Sequence, residues 1–426
     1  MDSVFHSHQR QEWRTVGSTL AALILCLACT GLVMVGQAWR ASHAAAATAP
    51  TTWQPSWSDD FNGPAGSTPD ATKWKFDVGG GGWGNNELEY YTNTRNNSYL
   101  DGNGNLVIQA RNDDAAQYSC WYGTCRYTSA RMLTAGMFTQ AYGRFEARIQ
   151  IPRGQGMWPA FWALGDNIGS VGWPASGEID TMENIGKEPA SVHGSLHGPS
   201  NYNTTSTYTL SSGAFADSFH TFAADWYPDH ISFSVDGQIY NSQYRANAGS
   251  GWVFDHPFFL LLNVAVGGNW PGSPDGTTSF PQKMLVDYVH VFNYAYPSAP
   301  ATGQITGIGG KCVDVAGANT ANGTPVQLYD CNGTNAQKWT LATDGSIQAL
   351  GKCMDVTAAG TANGTKIQLY DCNGTGAQKW LVESNGQLFN PNSSKCLDAT
   401  DNSSTNGTRL QIWDCYGSGN QTWNTP

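Results

Sequence analysis

The sequence predicts an all-β chain of two folded units, a β-sandwich followed by a smaller β-structure built from three repeats. Charged residues make up only 13% of the chain, while Gly (49), Trp (17) and Tyr (18) are abundant. That composition suits turn-rich sheets carrying flat apolar side chains, and it disfavours long helices. Segments such as 104–110, 143–151 and 230–240 alternate apolar and polar residues between Gly, Pro and Asn/Asp turns, as half-buried strands do. The last third of the chain repeats itself three times. At 426 residues the chain exceeds what one core usually organises, so two units plus a removable leader are expected. A formal net charge of −11 gives no electrostatic footprint for nucleic acid or anionic lipid. An uncharged polymer suits the aromatic excess better, because a sugar ring offers an apolar face to indole or phenol.

At the N-terminus an apolar run, 20–35, follows Arg10 and Arg14 and precedes an alanine-rich stretch, 42–49. This reads as a secretory signal leader over residues 1–49. Because the run is long, an uncleaved membrane anchor is the competing reading, and both place the remainder outside the cell. The residues before Cys26 and Cys29 do not form a small-residue lipobox. Removing the leader leaves an even set: Cys120, Cys125, Cys312, Cys331, Cys353, Cys372, Cys396 and Cys415. Export favours disulfides among them, and the paired C-x₂-C spacing of a zinc site is missing.

Residues 51–297 form the first unit, expected as an antiparallel β-sandwich. Its chemistry concentrates in Gly177-Glu178-Ile179-Asp180-Thr181-Met182-Glu183-Asn184. On a strand Glu178 and Asp180 share one face, while Glu183 has the wrong parity. A β-bulge at Thr181-Met182 would turn Glu183 back to the face of the other two. Three acids on one face repel one another, which argues for chemistry over structure. A retaining glycosidase needs two carboxyl groups about 5–5.5 Å apart. Glu178 is the expected nucleophile, and its charge would favour the protonated form of Glu183, the expected acid/base. Asp180 would hold Glu178 in line.

This strand resembles the catalytic strand of glycoside hydrolase family sixteen in its bulged, laminarinase-type form. The segments Gly82-Trp83-Gly84-Asn85-Asn86-Glu87-Leu88-Glu89-Tyr90-Tyr91-Thr92 and Gly156-Met157-Trp158-Pro159-Ala160-Phe161-Trp162-Ala163-Leu164-Gly165 carry the resemblance further. It implies a β-jelly roll with an open cleft, endo-cleavage of β-1,3-glucan such as laminarin or curdlan, and no cofactor for catalysis. It also implies Asn86, Arg131, Trp158, Trp162, His197 and Trp270 as cleft residues, and a structural Ca²⁺ held by Asp60 and Asp287. His193 and His197 could suggest a metal pair, but no third ligand stands nearby in sequence, so His197 reads as a substrate contact. The alternatives are a mixed-linked β-1,3-1,4-glucanase, another family-sixteen polysaccharide hydrolase, and a non-catalytic β-glucan recognition protein. The presence of both glutamates stands against the last.

A Pro/Ala-rich linker is expected at 298–303, and the three repeats occupy 304–426. Lys-Cys-x-Asp recurs at Cys312, Cys353 and Cys396, with a second cysteine 19 residues on in each case. A Gln-x-Trp closes each unit at Trp339, Trp380 and Trp423. So short a repeat cannot bury its own apolar face, and three copies sharing one core is the economical solution. These motifs resemble the ricin-type β-trefoil lectin, carbohydrate-binding module family thirteen. The resemblance implies sugar pockets at Asp314, Gln327 and Tyr329; at Asp355, Gln368 and Tyr370; and at Asp398, Gln411 and Trp413. Asn420 precedes the third Gln-x-Trp, where the first two repeats have Ala336 and Ala377, so the third pocket matches the family best. The expected partners are β-glucan and cell-wall or polymer sugars, bound by a monomer.

Overall fold

The computed structural model describes residues 52–297 and 299–426. The expected leader, 1–49, lies outside them. Two antiparallel sheets face each other in the first domain. One runs Asn203–Thr209, Ser191–His197, Glu178–Glu183, Met157–Gly165, Phe258–Val266, Arg131–Leu133, Lys75–Asp77. The other is built around Gly143–Gln150 and Gln282–Ala295, with His220–Trp226, His230–Val235 and Gln238–Tyr244 on one side.

Alternation creates the core between them. Phe145, Ala147 and Ile149 point inward from Gly143–Gln150 while Arg144, Glu146 and Arg148 point out. Strand Phe258–Val266 is buried on both faces: Phe258, Leu260 and Leu262 enter the sandwich core, whereas Phe259 and Leu261 join Leu133 and Leu164 beneath the opposite surface. That second cluster underlies Trp162, so the outer face of this sheet is a supported floor.

The second domain closes by three-fold repetition. Cys312–Val315 pairs with Thr324–Tyr329, Lys352–Val356 with Ile367–Tyr370, and Lys395–Ala399 with Leu410–Trp413. Trp339, Trp380 and Trp423 are core residues whose indole N–H groups donate to the carbonyls of Val313, Met354 and Leu397. Each repeat also reaches the next: Asn322 donates to Asp371, Asn363 to Asp414 and Asn406 to Asp330, each at 2.7 Å, which closes the ring. Among the described residues four disulfides form, Cys120–Cys125, Cys312–Cys331, Cys353–Cys372 and Cys396–Cys415. Each of the three repeat disulfides, with a sequence separation of 19, contributes about 3 kcal/mol when closed without strain.

The junction differs from the expected linker. Residues 301–303 are a strand of the second domain, Ala301–Gly303, paired with Trp339–Leu341, and the first domain's last strand ends at Ala295. The two domains pack directly. Tyr244, Leu381, Phe389 and the Cys396–Cys415 disulfide form a shared apolar cluster with Tyr294 and Tyr296. Ser384 donates to Asp225 at 2.7 Å across the same contact.

Candidate active site and lectin pockets

Strand Glu178–Glu183 carries the expected bulge. Opposite Met157–Gly165, Met182 faces Phe161 and Asp180 faces Trp162, so Thr181 is the supernumerary residue. The same break appears on the other side, between Asp180 and Glu183. Ile179 and Met182 consequently both enter the sandwich core, and Glu178, Asp180 and Glu183 all line one cavity of about 600 Å³.

Each carboxyl group has a partner. Trp173 Nε1 donates to Glu178 Oε2 at 2.9 Å, and Trp158 Nε1 donates to Glu183 Oε1 at 3.0 Å. His197 Nε2 lies 2.9 Å from Asp180 Oδ2 and 3.9 Å from Glu178 Oε1. Burial, and then the charge of Asp180, raises Glu178 to about 8. Burial, and then the charge of Glu178, raises Glu183 to about 7. Asp180 is also pushed well above the usual carboxylate range, first by burial and then by the charge of Glu183. The sequence led to the expectation of an ionised Glu178 holding a proton on Glu183. The second half of that expectation has its physical cause here, but Glu178 is raised as well, by its own burial and by the charge of Asp180.

The floor and wall of the cavity are aromatic. Arg131 pairs with Asp77 at 3.0 Å and lies over Trp83 and Trp162, 5.0 and 4.7 Å from the ring centres. Trp162 Nε1 donates to Asn263, Asn263 donates to Tyr91, and Tyr91 donates to Glu87, so floor and wall belong to one hydrogen-bonded chain. Trp270 stands edge-on to Trp158 at 5.6 Å. The arrangement can hold a sugar chain by its faces and offer acid, base and nucleophile to one linkage.

The family model for glycosyl hydrolases family 16 matches residues 85–290, and that for the ricin-type beta-trefoil lectin domain matches 301–423. A beta-glucanase of Rhodothermus marinus is 39% identical over an alignment of 254 residues that covers 57% of this chain and 86% of that protein. The chain belongs to glycosyl hydrolase family 16. A glucan endo-1,3-beta-glucosidase of Cryptopygus antarcticus is 38% identical over 52% of this chain and 83% of its own length. The crystal structure of the Pyrococcus furiosus endo-beta-1,3-glucanase is 46% identical, with a TM-score of 0.54, over 57% of this chain and 96% of that one.

Of the cleft residues expected in this family 16 domain, Arg131, Trp158, Trp162, His197 and Trp270 line the cavity. Asn86 does not: its side chain donates to Asn269 at 2.9 Å, and its neighbours Asn85 and Glu87 face the cavity instead. Among the contributors that escaped the sequence reading are Trp83, Asn85, Glu87, Trp173 and Asn263. Trp173 sits 59% exposed on the loop before the catalytic strand. Its only sequence signal is its place five residues ahead of Glu178. His193 contacts Glu188 and Thr207, and its ring lies against Trp270, so the two histidines take separate partners.

Family 16 glucanases need no cofactor for catalysis. Among the described residues, Glu178, Asp180 and His197 bring ligand atoms within 4.8 Å of one another, as do Asp229, His230 and Glu383 at the domain junction. The carboxylates expected to hold Ca²⁺ are engaged with bases: Asp60 with His290 at 2.7 Å and Asp287 with Arg148 at 2.6 Å. A cation on these two side chains would compete with both bases.

In the lectin domain the three aspartates sit in long-range networks rather than local turns. Asp314 accepts from Gln327 and Gln337, Asp355 from Gln368 and Gln378, and Asp398 from Gln411, Gln421 and Asn420. Beside them Tyr329, Tyr370 and Trp413 stand 37–40% exposed. Only the third network has the extra amide of Asn420, 2.7 Å from Asp398.

Proposed function

We propose that this chain is an exported, retaining endo-β-1,3-glucanase with an appended sugar-binding domain. The observation that carries the reading is the bulge at Thr181, which sets Glu178 and Glu183 in one open, tryptophan-lined cavity. Ionised Glu178 attacks the anomeric carbon while Glu183 protonates the departing oxygen. Glu183 then takes a proton from water, which releases the sugar from Glu178. Asp180 and Trp173 orient the nucleophile and Trp158 orients the acid, while Arg131, Trp162, His197 and Trp270 hold the chain. Asn86 acts one step back, by fixing the Asn269–Trp270 loop. Four disulfides support export, and β-1,3 specificity is supported by what the relatives are named for. The lectin pockets take cell-wall or polymer sugars, the third foremost, and the protein acts as a monomer.

The test is a product panel over laminarin, curdlan, lichenan and agarose. Laminarin and curdlan are expected to yield short oligosaccharides. Glu178→Gln should abolish turnover by at least about 10³-fold while laminarin binding survives. Preferential cleavage of lichenan would move the specificity to mixed linkages, and binding of laminarin without turnover by the wild type would leave a recognition protein. For the cation, Ca²⁺ and EDTA should leave Tm unchanged; a Ca²⁺-dependent rise would place an ion where the bases now stand.

A further inference from the structure

One wall of the cavity is a loop, 79–87, that brings Trp83, Asn85 and Glu87 to the cleft. Its backbone is irregular: Gly79, Gly82, Trp83, Gly84 and Asn86 all have positive φ. For Trp83 and Asn86 that conformation costs free energy and persists only when neighbouring structure imposes it.

The neighbour is a small hairpin, Ser119–Cys120 with Gly123–Thr124, closed by the Cys120–Cys125 disulfide. None of residues 119–125 belongs to the sandwich core and none lines the cavity. The hairpin instead grips the outside of the loop. Trp121 Nε1 donates to the carbonyl of Glu87 at 2.8 Å, Tyr122 Oη donates to that of Leu88 at 2.5 Å, and the backbone N–H of Trp121 donates to Gly80 at 2.9 Å. The approach is close enough to require glycine. A Cβ on Gly80 would stand 2.6 Å from Cys120 Sγ, and one on Gly82 would stand 2.9 Å from the Trp121 ring.

We propose that the Cys120–Cys125 hairpin is a positioning element for substrate: it presses the Trp83-bearing wall into place, so affinity for the glucan chain depends on this disulfide. The inference rests on the reading of the cleft as a glucan site. Catalytic geometry is fixed elsewhere, by the sheet that carries Glu178 and Glu183. Loosening the wall therefore weakens ground state and transition state alike, which raises KM and spares kcat.

Steady-state kinetics on laminarin test this with Cys120→Ser/Cys125→Ser and, separately, Trp121→Phe, which keeps the ring and loses the N–H. The double variant is expected to raise KM about fivefold or more with kcat within about twofold, and Trp121→Phe to raise it by a smaller factor. Wild-type KM in both variants, or a fall in kcat at unchanged KM, would overturn the proposal. Should the double variant fail to fold, Trp121→Phe decides alone by the same criterion. A wild type without activity on laminarin would defeat the underlying reading, whereas an active wild type with indifferent variants defeats only the buttress.

Discussion

Two indole N–H groups bracket the carboxyl pair, Trp173 on Glu178 and Trp158 on Glu183. Each favours the ionised form of the group it touches, against the burial that raises both. The proposed mechanism needs Glu178 ionised and Glu183 protonated, so activity should fall at low pH as the nucleophile gains a proton and at high pH as the acid loses one. With the two groups at about 8 and about 7, kcat/KM should peak between these values. An optimum near pH 5 in a pH–rate profile would contradict the electrostatics described. Trp158→Phe removes the donor to Glu183, which then keeps its proton to higher pH. The optimum should move upward by up to about one unit, and a downward move would assign the indole another role.

At the scale of elements, the decisive one is the six-residue strand Glu178–Glu183, whose bulge absorbs the extra residue Thr181 and so keeps three acids on one face. Deleting Thr181 leaves Glu-Ile-Asp-Met-Glu, a regular alternation that still sends both glutamates to the cleft and Met to the core. That variant should fold and keep laminarin activity within about tenfold, because parity is what the chemistry requires. Inactivation of a well-folded deletion variant would show that the bulge itself sets the distance. This strand was legible in the sequence because alternation has a strict period and a broken period is visible. Repeats were legible for the same reason, through cysteines and Gln-x-Trp at fixed intervals. Loop residues obey no period. The path of Trp173 depends on the turn around Gly172, and that of Asn86 on a run of positive φ, so one was missed and the other placed one residue too deep. The Ca²⁺ pair came from resemblance alone, and the bases His290 and Arg148 that occupy it lie far from Asp60 and Asp287, respectively, along the chain.

Across the whole molecule, the two domains meet at a buried group of acids that the chemistry does not use. His230 and Glu383 are fully buried and Asp229 nearly so. The amide oxygen of Asn385 accepts from the N–H of Gln387, so its NH₂ points at His230 Nε2, 3.0 Å away. His230 Nδ1 faces Asp229 Oδ1 at 3.2 Å and Glu383 Oε2 at 3.6 Å. Burial, and then the charge of Asp229, pushes Glu383 well above the usual carboxylate range, so the folded protein holds this proton more tightly than the unfolded chain does. The folded state then binds more protons than the unfolded one. Stability falls as pH rises above the ordinary carboxylate value. Glu383→Gln, neutral at every pH, should flatten this part of the curve: between pH 5 and 8 its Tm should fall less than that of the wild type, by about 2–4 °C. Parallel curves would mean that Glu383 is ionised after all.

In the proposed mechanism one pair of glutamates acts from opposite sides of a bound sugar. Proton NMR of laminarin hydrolysis, read in the first minutes before mutarotation, tests that pair most directly. β-anomers appearing first is the predicted result; α-anomers first would mean a single inversion by water, and Glu178 could not be the nucleophile.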